Sequence, residues 1–276
     1  MKEYIQINAD NISLLEIYVG NKEVHLLRYF EPEPGIFIAE SRNVIERALG
    51  QGYRPMSVVI LQGKNMDENL QKQLGDVPVY VGEQKMLQDY MGYKLPGGIL
   101  CAMRRKEKGD FREALTGARR IAVLEAVVNP TNVGAIFRSA AALGIDAVLL
   151  SPACVDPLYR RAIRVSVGNV FLVPWSYICR TESEWKEKGI QMLKDQGFTT
   201  VAMALREDNV NIDDPRLKEE ERLAIIMGTE GDGLAESTIS ACDYVAKIPM
   251  MNGVDSLNVS VAASLAFWEL GYKKRI

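Results

Sequence analysis

Arg119-Arg-Ile-Ala-Val-Leu-Glu-Ala-Val-Val-Asn-Pro-Thr-Asn-Val-Gly-Ala-Ile-Phe-Arg-Ser-Ala-Ala-Ala-Leu-Gly-Ile-Asp-Ala-Val-Leu-Leu150 is the stretch on which the fold turns. Ile121–Val128 is an apolar run of strand length. Pro130 cannot continue a ladder, and Thr131 or Asn132 can cap a helix starting near Gly134. Ala135–Leu143 reads as that helix, and Ala147–Leu150 as the next strand. Strand, helix and strand at this spacing form a βαβ unit, whose strands lie parallel in one sheet.

The alternation continues downstream. Trp185–Gln196 reads as a helix, and Thr199–Leu205 and Leu223–Met227 as strands. Asn258–Leu270 closes the chain as a helix apolar on more than one face, hence well buried. Residues 119–276 are therefore read as an α/β domain with a mainly parallel sheet. Upstream, residues 1–105 form a smaller α/β module. Val24–Tyr29, Gly35–Ala39, Ser57–Leu61, Val77–Val81 and Ile99–Met103 are strand-like. Ser41 caps a helix that ends at Gly50 and Gly52, and a second helix spans Glu83–Met91. The charged stretch starting Arg104-Arg-Lys-Glu-Lys-Gly has no apolar period, so residues 106–118 read as a linker. The basic cluster Arg104, Arg105, Lys106 and Lys108 could touch phosphates, but reads first as a solvated linker.

Composition excludes several functions. The 276 residues carry a net charge of −3, so no global basic field draws in nucleic acid, and any attraction must be local. No run approaches the ~18 apolar residues of a membrane span, and the N-terminus lacks signal-peptide features. Cys101, Cys154, Cys179 and Cys242 are scattered, which reads as reduced thiols in a cytoplasmic protein. One histidine, His25, rules out a multi-histidine metal site. Set among Val24 and Leu26, it reads as a strand residue rather than a catalytic one. No metal is expected, and the chemistry falls to arginine, glutamate, asparagine, serine and backbone groups.

In an open parallel sheet, ligands bind beyond the carboxyl ends of the strands, where three loops stand out. The first, Asn129–Arg138, places Arg138 near a helix start, where anions bind. The second, Gly228-Thr-Glu-Gly-Asp-Gly-Leu234, has three glycines around Glu230. It matches neither a Walker loop nor the dinucleotide fingerprint. The third, Ile248-Pro-Met-Met-Asn-Gly-Val-Asp-Ser-Leu-Asn258, breaks at Pro249, with Ser256 as the expected cap of the last helix and Asn258 in its first turn. Each alone also reads as an ordinary turn or cap.

In this order the three resemble the signature motifs of the SpoU (TrmH-like) family of RNA ribose methyltransferases. The N-x-G-A-x-x-R pattern is met by Asn132–Arg138, and G-x-E-G-x-G-L by Gly228–Leu234. I-P-M with S-L-N-V-S-x-A is met by Ile248–Met250 and Ser256–Ala262. Arg160-Arg-Ala-Ile-Arg-Val-Ser-Val-Gly is similar to the family's R-x-S-x-G segment. The resemblance spans about residues 119–272, with Thr229 where the family often has asparagine. The first hundred residues are similar in outline to the RNA-binding module that many members carry.

The resemblance implies a trefoil-knotted fold, a homodimer with the site near the subunit interface, and methyl transfer from S-adenosylmethionine to a ribose 2′-hydroxyl of rRNA or tRNA. It makes Arg138 catalytic, with Asn132 and Glu230 shaping the pocket. Cofactor contacts fall to Gly228, Glu230, Gly231, Ile248, Met250, Ser256, Leu257 and Asn258, and RNA contacts to Arg160, Arg161, Arg164 and Ser166. The rival readings are an inactive relative that only binds RNA or a ribosomal particle, and a knotted methyltransferase acting on a base nitrogen. A dinucleotide-dependent oxidoreductase is disfavoured by the missing fingerprint.

Overall fold

Aliphatic and β-branched runs become strands where the sequence marks them, and they sort into two sheets. The computed structural model describes residues 4–19, 35–107, 109–206, 209–229 and 231–271. The expected strand Val24–Tyr29 with His25, Lys108 and the site residue Glu230 lie outside the described residues. The chain divides into two compact units. One comprises Met1–Lys108 with Leu158–Phe171, the other Gly109–Pro157 with Leu172–Ile276.

The first unit holds a five-stranded mixed sheet in the order β1 (Tyr4–Gln6), β4 (Val79–Gly82), β3 (Arg54–Leu61), β5 (Ile99–Arg104), β2 (Ile36–Glu40). β1, β4 and β3 are mutually parallel, whereas β5 runs antiparallel to both β3 and β2. Its core gathers Leu15, Tyr18, Ile38, Val59, Leu87, Met91 and Leu100. The helix after β2 spans Arg42–Gly50, but Ser41 makes no capping bond through its side chain. The helix Glu68–Leu74, capped by Asp67, has no counterpart in the sequence reading.

The second unit is built on seven parallel strands in the order β10 (Val210–Asn211), β12 (Tyr244–Lys247), β9 (Thr199–Met203), β11 (Leu223–Met227), β6 (Arg120–Leu124), β7 (Ala147–Leu150), β8 (Trp175–Tyr177). This is the mainly parallel α/β sheet the pattern predicts. Every residue of β6, β7 and β11 is buried, as two-sided coverage by helices requires. β6 stops at Leu124 rather than Val128. Ala126 takes a positive φ of 53°, and its N–H donates to Ser151 Oγ at 3.0 Å while Val127 N–H donates to Cys154 Sγ. Those bonds turn the chain out of the ladder.

The expected linker is also shorter than the sequence suggests. Arg104 still pairs in β5, Arg105 N–H donates to Gly35 O at 2.7 Å, and Lys106 donates to Gln51 O. Phe111–Ala114 is helical, and Phe111, Leu115 and Ala118 are buried in the core of the second unit. The segment 158–171, read as part of the methyltransferase domain, packs with the first unit.

Candidate active site

β6 and β11 lie side by side with Met227 opposite Leu124, so residues 125–129 and 228–234 leave the same edge of the sheet as neighbours. From β6 the strands run outward to β7 and β8 on one side, while β11 and β9 lie on the other. That is a topological switch point, where open α/β sheets form their ligand crevice.

The first motif forms the helix Pro130–Ala142, capped by Asn129, whose Oδ1 accepts from Thr131 N–H at 2.9 Å. Neither Thr131 nor Asn132 is the cap, because proline is tolerated at the first helical position, where its missing N–H would have had no partner. Asn132 therefore lies inside the first turn and is 5% exposed. Arg138 sits deeper in the helix than expected, about 9 Å along the axis from Asn132 and about 120° around it. It is exposed, and its guanidinium engages no other described residue.

The third motif forms the last helix, Val259–Leu270, and its cap is Asn258. Asn258 Oδ1 accepts from Ser260 N–H at 2.9 Å, Val261 N–H at 3.4 Å and Ser260 Oγ at 2.6 Å. Ser256, expected as the cap, is exposed in the preceding loop, where Leu257, Ile248 and Met250 are half-buried. The Nδ2 of Asn258 donates to Asn132 Oδ1 at 3.1 Å, a clasp between two predicted site residues 126 positions apart. The helices are joined again by Ser139 and Ser264, whose hydroxyls lie 2.7 Å apart. At the far end a Cβ on Gly271 would sit 2.1 Å from Leu143 O, so only glycine permits that approach.

The second motif is a loop closed on itself. A Cβ on Gly228 would lie 2.3 Å from the carbonyl carbon of Gly233, and Thr229 and Gly233 form a β-bridge. Gly231 and Gly233 have φ of 90° and 70°, which L-residues with side chains rarely adopt. Cβ atoms at these two positions would meet no atom within 4 Å, so the backbone there is open.

Beneath this loop lies a residue the sequence reading passed over. Glu125, 6% exposed, accepts from Ala235 N–H at Oε1 (2.6 Å), and from Trp185 Nε1–H (2.6 Å) and the Thr238 hydroxyl at Oε2. Its partners are 60 to 113 positions away in sequence. The one signal available was a carboxylate within an apolar run at the end of a strand, where burial demands partners.

The candidate RNA contacts divide. Arg161 and Arg164 are exposed on the helix Arg160–Val165. Arg160 instead lies over the Tyr93 ring at 3.3 Å and pairs with the buried Glu40 at 3.1 Å. Ser166 is fully buried and donates its hydroxyl to Ile163 O at 2.9 Å, so it is no surface contact.

The SpoU rRNA Methylase family model matches residues 119–268. A protein named as a tRNA/rRNA methyltransferase of Mycobacterium bovis is 35% identical over 240 residues, 85% of this chain and 80% of the relative. Among solved structures, an AdoMet-bound rRNA methyltransferase from Sinorhizobium meliloti superposes with a TM-score of 0.81 at 21% identity, covering 97% of each chain. A structure described as an RNA 2′-O ribose methyltransferase gives 0.71 at 24% identity, again over 97% of each. The family match over residues 119–268 and the identity to the Mycobacterium bovis relative define a methyltransferase of the SpoU class. The chain belongs to the SpoU rRNA methylase family.

Proposed function

We propose that the protein methylates the ribose 2′-hydroxyl of a nucleotide in rRNA or tRNA, with S-adenosylmethionine as methyl donor. The observation that carries this reading is the Asn132–Asn258 clasp, which joins two helix N-termini at the sheet edge where the Gly228–Leu234 loop emerges. The open backbone at Gly231 and Gly233 suits the cofactor, and a Cβ at Gly228 would fill the fold of the loop. Gly228, Gly231, Ile248, Met250 and Leu257 would hold the cofactor, Ser256 and Asn258 would complete the site, and Glu230 would shape the pocket. When bound, the cofactor supplies a methyl group activated by a positive sulfur.

A hydroxyl is a poor nucleophile at neutral pH, so the protein must place it and help its proton leave. Arginine, with a pKa above about 12, is a reluctant base. Arg138 acts here by holding a phosphate beside the target ribose and stabilising negative charge on the 2′-oxygen as its proton passes to solvent water and the methyl leaves the sulfur. Its exposure and lack of a described partner leave its fork free for that task. Arg161 and Arg164 add local positive charge for RNA.

The homodimer belongs to the same proposal. Val261, Leu265 and Trp268, 48%, 42% and 61% exposed, lie at i, i+4 and i+7 on one face of the last helix. A second copy covering that stripe would put the site near the subunit interface, where a partner arginine could reach in. The trefoil knot is part of the reading too. It rests on membership of the SpoU family rather than on strand order. Four cysteines that remain thiols fit a cytoplasmic site of action.

The test is labelled S-adenosylmethionine with total rRNA and tRNA from cells lacking the protein, followed by mapping of the label. Label on a ribose 2′-oxygen, lost in Arg138→Ala with cofactor binding intact, is expected. Label on a base nitrogen sinks the ribose assignment. Cofactor binding with no transfer to any RNA favours a relative that only binds. Sedimentation of Leu265→Asp as a monomer, beside a wild-type dimer, is the expected outcome for the interface.

A further inference from the structure

Glu125 touches the Gly228–Leu234 loop at both of its ends. Its backbone N–H donates to Met227 O at 2.8 Å, the last carbonyl before the loop. Its side chain accepts the N–H of Ala235, the first residue after it, at 2.6 Å. The span between is glycine-rich, with Gly231 and Gly233 at positive φ, and its last residue, Leu234, is buried in the core of the second unit. Glu125 adds a hydrogen bond just outside each end of that span.

Glu125 is itself fixed. The Trp185 indole and the Thr238 hydroxyl both donate to Oε2, filling the second oxygen. The Trp185 ring in turn lies on Gly189, where a Cβ would come within 2.1 Å of the ring. The helix carrying Trp185 contains a single π turn at Trp185–Gly189. Such turns place a side chain where a regular helix would not.

We propose that Glu125 is a positioning residue for the cofactor: it sets the path of the 228–234 loop by clamping both of its ends, with Trp185 and Gly189 holding the carboxylate in place. This rests on the reading of that loop as the cofactor loop.

Glu125→Gln keeps the shape but turns an acceptor into a donor. With its oxygen toward Ala235, the new amide nitrogen meets the Trp185 N–H, which cannot accept. Turned the other way, the amide meets the Ala235 N–H and releases the loop. The variant should bind S-adenosylmethionine about tenfold more weakly in calorimetry, with kcat at saturating cofactor within about threefold of wild type. In the apo protein, hydrogen exchange should rise at residues 229–235 ahead of the strands β6 and β11. Gly189→Ala, which displaces Trp185 without touching Glu125, should shift cofactor affinity in the same direction.

Exchange rising uniformly across the second unit, or cofactor affinity unchanged in both variants, overturns the proposal. Gly231→Ala separates this failure from that of the loop reading, since φ at Gly231 strains any side chain while no neighbour is displaced. If Gly231→Ala weakens cofactor binding and Glu125→Gln does not, the clamp falls and the loop reading stands. If neither variant changes binding, both fall.

Discussion

Asn258→Ala removes both the helix cap and the clasp to Asn132, and their sizes can be worked out separately. Asn258 Oδ1 caps the last helix through two backbone N–H groups. Loss of such a cap costs about 1 kcal/mol. Its Nδ2 is the donor to Asn132 Oδ1, and Asn132 is buried. Orphaning a buried acceptor costs about 1–3 kcal/mol, and because Asn258 faces solvent a water can enter, so about 1–2 kcal/mol applies. The sum is about 2–3 kcal/mol, which lowers Tm by roughly 4–12 °C for a domain of this size. Asn258→Ser retains a capping oxygen but not the clasp, and should lose only the second part. Urea unfolding of Asn258→Ala, Asn132→Ala and the double variant closes a cycle whose coupling should be about 1 kcal/mol. A coupling below about 0.3 kcal/mol would refute the clasp, as would Asn258→Ser matching wild type in stability.

Arg120 is buried and donates to the carbonyls of Leu270, Arg119, Glu221, Lys218 and Glu220, while burial lowers its pKa. Arg120→Lys cannot reach that set with one ammonium, so its urea midpoint should fall by an amount equivalent to about 3 kcal/mol with m unchanged. Burial opposes ionisation of Asp243, but bonds from Lys194 and Thr200 outweigh it and hold its carboxyl below the usual range. A carboxyl depressed on folding stabilises above its unfolded pKa of about 3.9 and loses that contribution as pH falls through its folded value. Asp243→Asn should therefore be less stable than wild type at neutral pH, and the gap in Tm should close below about pH 4. Burial pushes the thiol of Cys179 up to about 11 and that of Cys242 up to about 12. Ellman's reagent at pH 8 should find these thiols unreactive in the native protein and all four cysteines reactive in guanidinium; fast native labelling would contradict this burial.

The parallel sheet was legible because its strands are buried on both faces and so read as continuous apolar runs, as at Leu223–Met227. The three loops were legible because glycine, proline and asparagine interrupt those runs. The caps were misassigned for a local reason. Asn129, Thr131 and Asn132 can each accept a backbone N–H, as can Ser256 and Asn258, and composition does not choose among adjacent candidates. The choice is made by where the chain leaves the sheet. Ala126 and Val127 are turned out of the ladder by Ser151 and Cys154, so the helix begins at Pro130 and Asn129 becomes its cap.

Arg160 and Glu125 show a different limit. The cluster Arg160, Arg161, Arg164 reads as phosphate-binding because its charge is local and visible, yet Arg160 is claimed by Glu40, 120 positions away. Glu125 sits inside an apolar run with its partners more than 60 positions away or, in one case, 60, so its neighbours in sequence say only that it must be paired. In both cases the deciding fact is a buried carboxylate, and a buried carboxylate is stable only where the fold delivers donors to it. The same requirement explains why Glu125 rather than a surface acid can clamp the loop. A solvated carboxylate would exchange its partners with water, whereas one closed in by Trp185, Thr238 and Ala235 has no alternative to holding them.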